Sequence, residues 1–405
     1  MMARSPSILY TVSIMYLIKT LNNISPIGLA EFNPKHYQVS SETDKPDAII
    51  LRSFNMHDFT TPNTVQVVGR AGAGTNNIPI DNLTKLGIPV LNTPGANANA
   101  VKELVITGML LACRNICPAW DYARQLEGDD TAVKTAVEKN KKQFSGFELP
   151  NKTLGVIGLG KIGVKVANAA RYLGMNVIGY DPAMTVENAW ELRSSVQQAE
   201  ELEDLLSQSD FISIHVPLIE PTKNLINASR LKLMKDNVVI LNLARDGIID
   251  NQALAAALQE DKVRNYVCDF PNNLFKNHPK VICLPHLGAS TKEAEENCAV
   301  MIAQQIKEYL EDGHIRNAVN FPAVKMSRTE GYRIAIINEN IPNMVAQVST
   351  VLSDANINII DMMNKSRDNI AYTLLDVNTE VNNDLLKNML AIDGVIHARS
   401  VPKFV

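Results

Sequence analysis

The chain reads as an α/β protein built on parallel sheets, with a small α+β unit of ferredoxin-like order at its C-terminal end. Three observations carry that reading. The first is rhythm: from Tyr16 the short β-type runs YLIKTL, DAIILRS, VQVVGRA and PVLNTP are separated by helical stretches, the pattern of a parallel sheet. The second is the run TLGVIGLGKIG, where an apolar strand enters a glycine-rich turn and then a helix. Five further strand candidates follow it, NVIGYD, FISIHV, VVILNL, NYVCDF and VICLPH, which is the alternation of a doubly wound, Rossmann-type domain. The third is the order βαββαβ after Gly331: RIAIINEN, a helical IPNMVAQVSTVLSDA, strands around NINIIDMMNKS and IAYTLLDVN, another helix, and HARSV.

The elements between these landmarks follow in order. A long amphipathic stretch from Ala98 to about Arg124 predicts one helix, and the charged segment from Glu127 to Lys142 a solvated surface excursion. A helix is expected from Thr291 to about Asp312. Asn320 to Gly331 carries Pro322, charges and no periodicity, so it reads as a linker. Residues 1–15 are expected to be an upstream extension, with the working protein beginning near Met15.

Composition narrows the function. A chain of 405 residues exceeds one hydrophobic core, so two or three domains are expected. Its hydrophobic content of 46% and charged content of 20% are those of a globular protein, and a net charge of -4 offers no basic stripe for nucleic acid or anionic lipid. Small-molecule partners are favoured. The cysteines Cys113, Cys117, Cys268, Cys283 and Cys298 are odd in number and lack CxxC spacing, so they read as reduced thiols of a cytoplasmic protein, with no metal site. No apolar run is long enough to span a bilayer.

The motif Gly158-Leu-Gly160-Lys161-Ile162-Gly163 lies between strand and helix, where glycines permit a tight turn and let a pyrophosphate approach the helix N-terminus. Asp181, eighteen residues beyond Gly163, closes the next strand and is placed to bind both ribose hydroxyls of NAD. Its carboxylate would repel the 2′-phosphate of NADP.

The runs VVILNLARDGIIDNQAL, YVCDFPNN and VICLPHLGAST, in this order behind GLGKIG and FISIHVPL, resemble the signature blocks of the D-isomer specific 2-hydroxyacid dehydrogenases. Chemistry asks for the same parts: a base for the hydroxyl proton, a cation for the carboxylate, and a nicotinamide aligned with the C2 hydrogen. His286 ends an apolar strand and is the best base, and Arg245, also past a strand, offers a bidentate fork for carboxylate. The resemblance implies that Asp269 contacts the nicotinamide carboxamide. It adds His215, Val216, Pro217, Leu243, Ala244, Gly288 and Ala289 to the NAD site. The remaining histidines, His36, His57, His278, His314 and His397, read as structural. Two departures stand out. The family places a glutamate shortly after the aspartate, paired with the catalytic histidine, whereas DFPNN puts Asn273 near that place; and Asp246 replaces the usual glycine after the arginine. An amide can orient an imidazole, but it does not stabilise the imidazolium as a carboxylate does.

The resemblance extends from about Tyr16 to the end. It implies a Rossmann-type NAD-binding domain over 98–291 inserted in a flavodoxin-like substrate domain over 16–97 and 292–320, a linker over 321–331, and an ACT regulatory domain over 332–405. GRAGAGTNNIPID and NTPGANANAVKELV are similar to the loops of members that oxidise 3-phosphoglycerate. Ala73 and Gly74 then hold the substrate carboxylate by backbone amides, and Arg52, Ser53 and Asn97 its phosphate end, while Lys102 reads as a helix-surface lysine. In the ACT unit Asn340 and Asn358 match positions that hold L-serine. Asn338, which replaces a frequent histidine, joins them as a candidate regulatory-ligand residue, and Asn343 replaces the glycine usual after Pro342. A homodimer or homotetramer is implied. The alternatives are glycerate or hydroxypyruvate reduction, which needs no phosphate site, and an inactive NAD-binding regulator.

Overall fold

The computed structural model describes residues 15–403. The chain divides into two compact units, one formed by the part up to Ala96 together with everything from Glu295 onward, the other by Asn97–Ala294.

The first unit holds two sheets. Strands β1 (Tyr16–Leu21), β2 (Tyr37–Ser40), β3 (Ala48–Leu51), β4 (Val67–Arg70) and β5 (Val90–Leu91) pair in parallel in the order β2-β1-β3-β4-β5, the flavodoxin-like order. All four residues of β3 are buried, as expected of a strand covered on both faces. Strand β2 escapes sequence reading because it is a short edge strand with one buried residue in four. The helix Lys292–Asp312 contributes Ile302, Ala303, Ile306, Tyr309 and Leu310 to the core of this sheet.

The second sheet of this unit comprises β13 (Tyr332–Glu339), β14 (Ile359–Arg367), β15 (Ile370–Val377) and β16 (Val395–Val401), antiparallel in the order β14-β15-β13-β16. Helices Met344–Asp354 and Asn383–Leu390 complete the βαββαβ connection. One face buries Ile334, Ile336, Leu375 and Val377 against Val348, Leu352, Leu385 and Met389. The other face places Ala335, Ile337, Tyr372, Leu374 and Val401 in one core with Tyr16, Leu310 and Ile315. All eight residues of β15 are therefore buried.

The stretch read as a linker is corrected by this packing. Phe321, Val324 and Met326 are buried in that shared core, and Ile315 and Val324 exchange two backbone hydrogen bonds of 2.9 and 3.0 Å. The segment is aperiodic because its apolar residues fill a seam and have no helix or strand face to follow. Polar groups close the same seam. Carbonyls at the end of helix Lys292–Asp312 accept from Arg399 Nη2 (at Tyr309, 2.6 Å, beside the Gly313 N–H), and those of Asp312 and Glu311, past the last regular helical bond, accept from Arg333 Nη1 (3.0 Å) and the Arg328 guanidinium. Tyr372 Oη donates to Gly313 at 2.7 Å. Cations at a helix C-terminus also complement its dipole. Arg333 in turn makes a bidentate pair with Asp376 at 2.7 and 3.0 Å, with both side chains buried.

The second unit is one parallel sheet of seven strands, β6 (Thr153–Ile157), β7 (Asn176–Tyr180), β8 (Gln197–Gln198), β9 (Phe211–Ile214), β10 (Val238–Asn242), β11 (Val263–Cys268) and β12 (Val281–Cys283), in the order β12-β11-β10-β9-β6-β7-β8. Strand β8 is two exposed glutamines and leaves no apolar signal. The helix expected over Ala98–Arg124 is two, Ala98–Cys113 and Ile116–Arg124, because Asn115 takes a left-handed conformation (φ 51°) between them. Asparagine tolerates that region better than other non-glycine residues. The charged excursion contains a helix, Asp130–Asn140, with no buried residue and an Asp129 side chain that caps the Ala132 amide. Among the described residues no helix is long and apolar enough to cross a membrane.

Candidate functional site

A parallel sheet delivers the C-terminal end of every strand to one edge. In the second unit the strand order reverses between β6 and β9, so a crevice opens beyond their C-terminal ends, the place where open α/β sheets take ligands. The residues just past the strands along this edge are His286 (β12), Asp269 (β11), Arg245 (β10), His215 (β9), Gly158 (β6) and Asp181 (β7).

At the centre, Gly158 adopts φ 91°, and a Cβ on it would lie 2.8 Å from the carbonyl oxygen of His215. A Cβ on Gly163 would meet the Gly158 carbonyl oxygen at 1.9 Å, so only glycine lets helix Lys161–Tyr172 start this close to β6. Gly160, the N-cap, has no side-chain capping bond, and a Cβ there would meet nothing within 4 Å. The first turn of the helix thus faces open space with its orphan amides, and this cradle fits a dinucleotide pyrophosphate. Asp181 Oδ2 accepts from Leu159 N at 2.8 Å and Oδ1 from Ala183 N at 2.9 Å, which fixes the carboxylate at the end of β7. Each oxygen keeps a further lone pair for a hydroxyl. Ile162 packs against the core beneath the motif, but Lys161 is drawn aside, pairing with Glu187 (2.7 Å) and Glu191 (3.0 Å). His215 donates its backbone N–H to Ile157 and its ring meets Ser213 Oγ at 2.8 Å. Burial pushes this imidazole down to about 4, so it is neutral at ordinary pH. Val216 lines the Gly158 turn and Pro217 is exposed.

Beyond β10, one buried amide ties the turn that carries Arg245. Asn242, 1% exposed, donates from Nδ2 to Arg245 O at 2.8 Å and accepts at Oδ1 from Ala244 N at 3.2 Å. Sequence reasoning passed over Asn242; the signal was a polar residue closing the apolar run VVIL. Leu243 is buried, and Arg245 is half-buried with Nη1 on Ala244 O at 2.7 Å. Asp246, the departure from the family's glycine, accepts at Oδ1 from Gly247 N (2.9 Å), and Gly247 supplies the left-handed conformation (φ 83°).

Asp269 organises the loop after β12. Its carbonyl accepts from His286 N at 3.1 Å, and its carboxylate oxygens accept from Leu287 N and Gly288 N, both at 2.7 Å. Three successive amides therefore converge on one residue, which is 1% exposed. The carboxylate is thus engaged by the loop, and each oxygen keeps a further lone pair, as the expected nicotinamide contact requires. His286 itself stands exposed at φ 56°, a conformation that costs a non-glycine residue about 1–2 kcal/mol, and the bonds to Asp269 offset that strain. Its ring meets the Phe270 ring edge-on at 5.3 Å. Ala289 follows half-buried. Asn273 is exposed, and it is Asn272 that binds the local turn, accepting from Leu274 N (3.0 Å) and Phe275 N (3.1 Å). Among the described residues no group of three metal-ligating side chains is found.

The expected substrate residues of the first unit follow its own strand ends. Arg52 and Ser53 succeed β3. Asn22, past β1 at φ 70°, accepts from Arg52 N at 3.2 Å and donates to Ser53 Oγ at 2.7 Å. Arg52 Nη1 pairs with Glu295 at 2.5 Å, and its carbonyl accepts from Arg70 Nε, at the end of β4, at 3.1 Å. Asn22 and Arg70 were not singled out from sequence. An open hollow of about 620 Å³ lies beside them, lined by Thr20, Asn22, Ser25, Ser41 and Glu295 among others. Ala73 O accepts from Asn92 Nδ2 at 2.6 Å, and Gly74 follows half-buried. Asn97 begins the other unit, its side-chain oxygen buried without a partner. Lys102 bonds Asn99 on its own helix, as a helix-surface lysine does.

In the C-terminal sheet the three asparagines are unlike one another. Asn338 is 2% exposed and donates from Nδ2 to Glu339 O at 2.7 Å. Asn340 is exposed and donates to Asp368 O at 3.0 Å, and Asn358 is exposed at the start of β14. Asn343 takes φ 73°, so it keeps the backbone conformation for which glycine would otherwise be needed.

A glycine cradle with a strand-end acid, and an arginine and a histidine past other strands at the same edge of the sheet, define a nucleotide-dependent dehydrogenase. Residues 106–288 match the family profile "D-isomer specific 2-hydroxyacid dehydrogenase, NAD binding domain". A D-3-phosphoglycerate dehydrogenase of Haemophilus influenzae is 35% identical over 344 residues, 82% of this chain and 80% of its own. One of Methanocaldococcus jannaschii is 38% identical over 358 residues, 85% of this chain but 64% of its own length. Among solved structures, an NAD+-bound 3-phosphoglycerate dehydrogenase of Entamoeba histolytica superposes with TM-score 0.58 at 27% identity, covering 76% of this chain and 98% of that one. The chain belongs to the NAD-dependent D-isomer specific 2-hydroxyacid dehydrogenases.

Proposed function

We propose that the chain oxidises D-3-phosphoglycerate to 3-phosphohydroxypyruvate, the first committed step of L-serine synthesis. The observation that carries this reading is that His286 and Arg245 follow strands at the same sheet edge as the glycine cradle, in a chain whose relatives of 35% and 38% identity bear that name. NAD, when bound, supplies the hydride acceptor. His286 takes the hydroxyl proton at a ring nitrogen, the Arg245 guanidinium holds the substrate carboxylate, and Asp269 keeps the histidine loop in its left-handed conformation. Arg52 and Ser53, tied together by Asn22, hold the phosphate, with Asn97 as a further phosphate contact and the Ala73–Gly74 backbone as a carboxylate contact. Asp181 sets the preference for NAD.

The C-terminal βαββαβ unit acts as an ACT domain, with L-serine held by Asn340 and Asn358 as the candidate effector. One observation favours a second reading, an inactive NAD-binding regulator: among the described residues His286 rests on Phe270 and has no carboxylate bound to it. The test is NADH formation at alkaline pH with 3-phosphoglycerate beside D-glycerate, with and without L-serine. Turnover confined to the phosphorylated acid supports the proposal. Turnover of glycerate alone makes the chain a glycerate or hydroxypyruvate reductase, and NAD binding without any turnover makes it a regulator.

A further inference from the structure

Two of the cysteines that look scattered in the sequence are brought together by the second sheet. Strands β11 and β12 run in parallel with Cys268 registered against Cys283, and their Sγ atoms are 3.5 Å apart. Residues opposite one another on adjacent strands project to the same face. Adjacent strands lie about 4.8 Å apart, which is inside the range of about 4.4–6.8 Å between Cα atoms that a disulfide bridges. Neither thiol has a part in the site described above.

Their surroundings give the pair a direction. Cys268 is buried and Cys283 half-buried, so a small oxidant meets Cys283 first. Burial pushes the Cys268 thiol up to about 12 and raises Cys283 as well, so the reaction accelerates as the pH is raised. The pair also borders the catalytic loop. Cys268 immediately precedes Asp269, and Cys283 stands three residues before His286. The β11–β12 ladder continues into that loop through Leu284 N on Cys268 O (2.8 Å) and His286 N on Asp269 O (3.1 Å).

We infer that Cys268 and Cys283 form an oxidisable dithiol, which a hydroperoxide converts to an intrachain disulfide, and that the cross-link slows turnover by displacing the strand ends that carry Asp269 and His286. In the first step the Cys283 sulfur attacks the peroxide, the O–O bond breaks, and the leaving oxygen departs as water, or as the alcohol of an organic hydroperoxide, leaving a sulfenic acid. In the second, the Cys268 sulfur attacks the Cys283 sulfur, the S–S bond forms, the S–O bond breaks, and water leaves. Two thiols lose two electrons and two protons, and the peroxide gains them. The sulfurs must close from 3.5 Å to about 2.05 Å, and whatever part of that closure side-chain rotation does not supply moves the strand ends.

The experiment treats the full chain with hydrogen peroxide at pH 8 and digests it with trypsin without reduction. Cleavage after Arg264, Lys276, Lys280 and Lys292 puts the two cysteines in separate peptides, 265–276 and 281–292. A single linked species, lighter than their sum by two hydrogens, is expected. Turnover is expected to fall at least fivefold as the link accumulates and to return on adding a dithiol reductant. The Cys283→Ser and Cys268→Val variants are expected to keep the reduced-state turnover and to resist the loss. Absence of the linked peptide, full linkage with unchanged turnover, or equal inactivation of both variants would overturn the inference. The turnover arm rests on the proposed dehydrogenase activity, whereas the mass measurement does not. A chain that turns over no hydroxy acid but yields the linked peptide sinks the substrate reading and sustains the dithiol.

Discussion

Replacing Asp269 by Asn separates two parts that this residue could play. The carboxylate accepts two backbone N–H bonds of 2.7 Å, from Leu287 and Gly288, in a site 1% exposed. An amide of the same shape keeps one acceptor oxygen and turns its NH2 toward the other N–H, so one charge-assisted bond is lost and two buried donors face each other. A hydrogen bond to a charged group contributes about 1.5–3 kcal/mol and an unsatisfied buried donor costs about 1–3 kcal/mol, so the loop loses roughly 2.5–6 kcal/mol of support. His286 is held at φ 56° by the same loop, and leaving that conformation relieves a further 1–2 kcal/mol or so. A displacement of about 1 Å in a reacting group costs on the order of 100-fold in rate. The expected outcome for Asp269→Asn is therefore a kcat lower by about 100-fold, with the affinity for NADH, read by fluorescence titration, within about threefold of the parent. A kcat within threefold of the parent, joined to a tenfold weaker NADH affinity, would refute the positioning role and return Asp269 to the cofactor.

Four further outcomes are expected. Gly163→Ala places a Cβ 1.9 Å from the Gly158 carbonyl oxygen, so NADH affinity should fall by two orders of magnitude or so while circular dichroism stays close to that of the parent. Asp376→Ala leaves the buried Arg333 guanidinium unpaired and should cost about 3–5 kcal/mol in urea unfolding, whereas replacing both partners by apolar residues should restore most of it. Burial alone would raise the Asp376 carboxyl, but Arg333 and the Thr329 amide and hydroxyl outweigh it and hold it below the usual carboxylate range. Its stabilising contribution is thus complete above the unfolded value near 3.9 and is lost as pH falls through the lower folded value. Asp376→Asn should flatten the acid limb of the unfolding curve, and an unchanged limb would assign acid lability to other groups. Arg52→Ala should raise the KM for 3-phosphoglycerate at least tenfold with a smaller change in kcat, because a charge that holds a remote phosphate contributes to binding before it contributes to chemistry.

The glycine turn, Asp181, Arg245 and His286 were legible in the sequence because each is a chemical exception at a strand end, and strand ends are marked by apolar runs that stop. The βαββαβ order was legible for the same reason, since its strands and helices keep their own periods. Elements that bury little left no such trace. Strand β8 is two exposed glutamines, β2 buries one residue in four, and helix Asp130–Asn140 buries none. Two positive-φ asparagines had effects that periodicity could not reveal: Asn115 divides one expected helix into two, and Asn343 does the work of a glycine.

What only the tertiary structure decided is which groups meet. Asp269 and the amides of Leu287 and Gly288 are eighteen and nineteen residues apart in sequence, and their meeting makes this residue the staple of the His286 loop. Cys268 and Cys283 become a pair only through the register of β11 on β12. The supposed linker becomes core once the C-terminal sheet offers Phe321, Val324 and Met326 a seam to fill. The sequence by itself determined the kinds of element and the chemistry at their ends, because hydrophobic period and residue type are local properties. Register, burial and hydrogen-bond partnership depend on residues distant along the chain, and those the packed structure alone decides.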